Sequence, residues 1–83
     1  MTLAEMAVAT RCKVVSAADK NSEIQSRLYA LGMYPGVDVD ILRFAPTGNP
    51  IQVRVGATLL SIRKQEATLV EVTDIIGIGA GNP

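Results

Sequence analysis

The 83-residue sequence predicts a small, mostly β domain: about five short antiparallel strands curled into a barrel, with one helix between the first and second strands. Three observations predict it. Short runs alternate apolar and polar residues with the period of half-buried strands. Only residues 22–31 repeat their apolar side chains at helical spacing. Glycine and proline punctuate the gaps between runs. Five short strands cannot bury both faces as a flat sheet, whereas curling buries one face and removes most free edges.

The elements follow in order. Residues 1–10 are a lead-in whose Leu3 and Met6 are spaced to form one helical turn over an end of the core. Residues 11–16 (RCKVVS) read as the first strand, with Cys12 and Val14 on one face and Val15 on the other. Ser22 and Gln25 match a capping box, and Glu23 complements the helix dipole. Ile24, Leu28 and Leu31 form the apolar stripe, Gly32 suits the left-handed position after the helix, and Pro35 forbids continuation.

After the Pro35-Gly36 turn, residues 37–44 (VDVDILRF) place Val37, Val39 and Ile41 inward and Asp38 and Asp40 outward. Residues 45–50 (APTGNP) are a loop. Residues 51–55 turn Ile51, Val53 and Val55 inward, with Gln52 and Arg54 outward. Gly56-Ala57 is a tight connection, and the strand over 58–63 buries Leu60 and Ile62. Residues 63–66 (RKQE) read as a polar turn, and 67–73 as a last strand burying Val70 and Val72. Residues 1–74 thus form the domain. Residues 75–83 are a Gly/Ile tail expected to fray, although its isoleucines leave self-association open.

Composition narrows the function. A chain this short buries only about 60–65% of its extended surface, but 48% of its residues are hydrophobic, and most of those are aliphatic. Eight basic and eight acidic residues cancel, so the basic excess of a dedicated nucleic-acid binder is missing and protein contacts are the better fit. With one cysteine, Cys12, no internal disulfide forms, and with no histidine the usual zinc ligand sets cannot be assembled. Asp38 and Asp40 share a strand face, which reads as a solvated face rather than a cation site. The first residues carry Glu5 and no basic segment, and the longest apolar stretch, 75–80, falls short of the roughly 20 residues of a spanning helix. A soluble, cytoplasmic protein is expected.

There is no P-loop, and no Ser–His, Cys–His or paired-carboxylate constellation. The expected sets of catalytic, cofactor-binding and metal-binding residues are therefore empty. Arg43, Arg54 and Arg63 are available to stabilise phosphoryl transfer in a partner, but solvated strand and turn arginines are the simpler reading.

Three segments carry a family resemblance. Arg27-Leu28-Tyr29-Ala30-Leu31-Gly32-Met33-Tyr34-Pro35-Gly36 resembles the RL-x-x-LGM-x-PG signature of FeoA proteins. Arg43 to Ile51 resembles their R-x-AP-x-GDPI segment, and Leu60 to Ala67 their LSLRKxEA turn. Asn49 stands where the family usually has Asp, with the turn chemistry kept. The usual lead-in glycine is absent around Ala9 and Thr10.

The resemblance implies an SH3-like barrel and a non-enzymatic accessory of ferrous iron uptake that works with FeoB, a membrane GTPase, at its cytoplasmic side. It places iron in the partner. The other class considered is an SH3-like regulatory or nucleic-acid-binding module unrelated to transport. Proline-rich ligands are disfavoured because Tyr29, Tyr34 and Phe44 are the only aromatics. The partner surface is expected at the helix end and the following loop: Tyr29, Met33, Tyr34, Pro35, Pro46, Thr47, Gly48 and Asn49.

Overall fold

A computed structural model of the chain describes residues 1–74. After a 3-10 turn at Leu3–Glu5 come β1 (Arg11–Ala17), α1 (Ser22–Ala30), β2 (Asp38–Phe44), β3 (Ile51–Val55), β4 (Thr58–Ile62), α2 (Lys64–Ala67) and β5 (Val70–Asp74). The strands form one antiparallel sheet in the order β4-β3-β2-β1-β5. The expected strands and the intervening helix are present. The sheet curls without closing, leaving β4 and β5 as its edges. The lead-in covers part of the β5 edge: the Val72 N–H donates to the Met1 carbonyl at 2.8 Å, and Thr2 bridges Glu71.

Strand phase follows the alternation. Cys12, Val14, Val39, Ile41, Ile51, Val53, Ile62, Val70 and Val72 fill the core, while Val15 faces out. Leu3 and Met6 close one end of it, as their spacing predicts. Leu28, fully buried, ties α1 to this core. Burying such a side chain contributes about 1.5–3 kcal/mol.

Four local details differ from expectation. Asn21, not Ser22, caps α1: its Oδ1 accepts the Ile24 N–H at 3.1 Å, and Ser22 becomes the first helical residue. Gln25 instead turns back to donate to the Ala17 carbonyl and to Asp19. At the other end the stripe breaks, because Leu31 is exposed while Met33 is fully buried. The cause is Gly32, whose φ of +95° reverses the chain so that the Met33 N–H reaches the Leu28 carbonyl at 2.9 Å. Met33 thus enters the core, and Leu31 stays outside. Finally, residues 64–67 form the short helix α2 rather than a polar turn or the start of β5, and two of them, Glu66 and Ala67, are buried. The Gly/Ile tail lies outside the described residues.

Candidate functional site: the helix end, the β2–β3 loop and the outer sheet face

The helix end presents an exposed aromatic pair. Tyr29, in the last turn of α1, and Tyr34, just beyond it, are 41% and 47% exposed. Their rings meet edge to face with centroids 6.2 Å apart. Such an arrangement holds two large apolar bodies in place before any partner arrives. The backbone behind them is pinned to β1: the Gly36 N–H donates to the Val14 carbonyl at 2.8 Å, and the Val14 N–H to the Val37 carbonyl at 2.9 Å. Beside Tyr34 lies an open concavity of about 410 Å³, walled by Leu31, Val37, Val55 and Thr58.

Of the expected contact residues, Tyr29, Tyr34 and Pro35 share this end of the sheet and are exposed. Met33 does not join them, because its side chain is spent in the core. Pro46, Thr47, Gly48 and Asn49 follow the far end of β2, which separates the two groups by about 20 Å of extended chain. Pro46 and Thr47 are exposed. In this loop the Thr47 hydroxyl donates to the Asn49 carbonyl at 3.1 Å. The Asn49 side-chain oxygen accepts the Lys64 N–H at 3.0 Å, so Asn49 fastens the loop to the start of α2. A side-chain oxygen is all that role needs, and asparagine supplies one as well as aspartate does.

A third feature, a charged ladder on the outer face of β1, β2 and β3, has no signature in the sequence. Register places Arg11 opposite Asp40, and Asp40 opposite Arg54. Arg11 donates Nε to Asp40 Oδ1 at 2.6 Å and Nη2 to Oδ2 at 3.2 Å, and Arg54 donates Nη2 to Oδ2 at 3.0 Å. The Arg11 hydrogen bond, more than that of Arg54, holds the Asp40 carboxyl below the ordinary carboxylate range, and Asp40 in turn raises Arg11. Next in the ladder, Lys13 pairs with Asp38 at 2.8 Å. The outward phase of these residues was readable, but the partner of each was not, because register depends on turns and crossovers. Asp40 is therefore more than a solvated residue: its side chain is only 19% exposed and engaged on both sides. Among the described residues, no three His, Cys, Asp or Glu side chains cluster as a metal site, and no helix is long and apolar enough to cross a membrane. Of the arginines considered for phosphoryl transfer, Arg54 is held by Asp40, while Arg43 and Arg63 are exposed.

A family model described as the FeoA domain matches residues 1–74. The chain belongs to the FeoA family. FeoA proteins are accessories of ferrous iron transport, and the solved members share the architecture described above. The solution structure of FeoA from Chlorobium tepidum is 36% identical, with a TM-score of 0.84 over 93% of this chain and 72% of that one. The crystal structure of Stenotrophomonas maltophilia FeoA, a zinc complex described as a procaryotic SH3 domain protein, is 37% identical, with a TM-score of 0.77 over 88% of this chain and 89% of that one. The T. acidophilum IdeR structure, 18% identical, matches with a TM-score of 0.78 over 89% of this chain and 33% of that one, which shows a shared fold alone. The family match spans all three motif segments.

Proposed function

We propose that this FeoA domain is a non-enzymatic, cytoplasmic accessory that binds a FeoB-type membrane GTPase and modulates its activity or assembly during ferrous iron uptake. The observation that carries the reading is the family match over residues 1–74. Iron is then the partner's cargo; this chain contains no histidine and one cysteine.

Contact chemistry supports a protein partner. Tyr29 and Tyr34 offer rigid apolar area with hydroxyl tips, the kind of side chain enriched at interface cores. Pro35 stiffens the same end. Pro46, Thr47 and Gly48 form a second contact at the far end of β2, with Asn49 holding that loop, while Met33 contributes from the core by anchoring the chain between Tyr29 and Tyr34. The two contacts suit a partner broad enough to span the sheet.

The test is capture of the full-length transporter, and of its soluble GTPase domain, on immobilised protein. Tyr34→Glu is expected to weaken capture about tenfold or more, and Thr47→Asp to weaken it separately, with thermal unfolding unchanged for both. Full capture by both variants would remove this surface, and absence of capture by the wild type would remove the partner assignment. GTP turnover measured with and without the protein then separates a modulator of activity from an assembly factor.

A further inference from the structure

The outer face of β1–β3 combines features that a purely stabilising ladder does not require. Asp40 lies low in the sheet surface, and the guanidiniums of Arg11 and Arg54 stand over it, 56% and 47% exposed. Each arginine carries five N–H donors. Asp40 engages two on Arg11 and one on Arg54, leaving the others directed at solvent. Both guanidiniums, with Asp38 beside them, border an open concavity of about 650 Å³, which the Gly56-Ala57 turn and Leu59 also line. Leu59 is 69% exposed, the most exposed of the large apolar side chains among the described residues. Fixed cations beside a bare leucine form a mixed polar and apolar surface, and the shared carboxylate removes the entropy cost of ordering the arginines at the moment of binding.

We propose that this concavity is a second docking surface, which takes an acidic, extended segment of a partner protein, a carboxylate lying on Arg11 and Arg54 and a neighbouring apolar side chain on Leu59. Charge complementarity selects the occupant. The acidic groups of this face are already engaged, Asp40 by two arginines and Asp38 by Lys13, so the donors left over are cationic. Arg11, Lys13 and Arg54 outnumber Asp38 and Asp40 on this face, so a basic segment meets a net positive surface whose half-exposed carboxylate, Asp38, is already paired with Lys13. The alternating spacing of an extended strand places an acidic and an apolar residue about 7 Å apart, the right order for neighbouring cross-strand positions such as Arg54 and Leu59. The surface is distinct from the tyrosine corner, and it deepens the proposed function without depending on the identity of the transporter.

The experiment titrates the full chain, isotope-labelled for NMR, with inorganic phosphate and with three synthetic ten-residue peptides in which Leu stands two residues from each Glu, Gln or Lys with serine between, so that both face the same side of an extended strand: the Glu-Leu, Gln-Leu and Lys-Leu peptides. The Glu-Leu peptide is expected to shift the amides of Gly56, Ala57 and Leu59 and the Arg54 Nε–H, with affinity falling several-fold between 50 and 300 mM salt. The double variant Arg11→Gln with Arg54→Gln is expected to abolish those shifts while keeping the remaining spectrum. Equal shifts with the Gln-Leu or Lys-Leu peptide, or shifts that survive the double variant, overturn the proposal. Saturation by phosphate at the same affinity shows a general anion site and overturns the peptide assignment. Transporter capture by the same double variant separates this proposal from the previous one: loss with Tyr34→Glu alone leaves the tyrosine surface standing and assigns no transporter contact to the arginines.

Discussion

Arg27 on α1 forms a salt bridge with Glu66 on α2, and the two ends of that bridge sit in unlike surroundings. The Arg27 side chain is 56% exposed, whereas that of Glu66 is only 9% exposed. The pair is the polar tie between the helix and the α2 segment that leads into β5. Its energetics are lopsided, because a buried carboxylate without a cation costs far more than a surface arginine without an acid.

Arg27→Met should therefore destabilise the domain by about 2 kcal/mol, below the full cost of breaking a wholly buried pair because one partner is solvated. Glu66→Gln in the same background should recover most of it, since the neutral amide is easier to bury. Urea unfolding of the two single variants and the double variant measures the coupling. Additive effects would show that the two side chains act independently.

Acid sensitivity should trace to Asp40. Its carboxyl titrates below the ordinary value when folded, so the folded state binds its proton less readily than the unfolded chain. That stabilisation is fully present above the unfolded value, about pH 4, and is lost as pH falls through the lower folded value. Thermal unfolding between pH 7 and pH 2.5 should fall off less steeply for Asp40→Asn than for the wild type, with the variant also slightly less stable at pH 7. Parallel curves would assign the acid transition to other carboxylates.

Two backbone positions predict opposite signs. Ala9 sits at φ +67°, in the region that costs an L-residue about 1–2 kcal/mol, and it is exposed just before β1. Ala9→Gly should stabilise by about 0.5–1 kcal/mol after the extra unfolded-state freedom of glycine is subtracted. Gly32→Ala should destabilise by about 1 kcal/mol or more. A Cβ there meets only Val55 Cγ1 at 3.9 Å, so the loss comes from backbone conformation and not from a clash. Denaturant midpoints for both variants check the signs.

Much of the fold was legible. The inward residues of β1, β2 and β3 follow from alternation, and the helix stop at Gly32 follows from its position after the stripe. The candidate site was only half legible. Tyr29 and Tyr34 stand out as aromatics left over from packing, but Met33 looks like their companion until the reversal at Gly32 carries it into the core. Glu66 reads as a turn residue because nothing in its local sequence announces the arginine that pairs with it in burial. Asp40 reads as solvated for the same reason.

The sequence by itself determined which side of each strand faces the core, where the helix ends, and the family, because periodicity, steric limits on φ and motif spacing are local properties of the chain. Only the tertiary structure decided who meets whom: Arg11 and Arg54 on Asp40, Arg27 on Glu66, Asn49 on the start of α2. Those pairings join residues 14 to 39 positions apart in sequence. They depend on strand register and on the curl of the sheet, which arise from all the turns and packing contacts acting together and are written in no single segment.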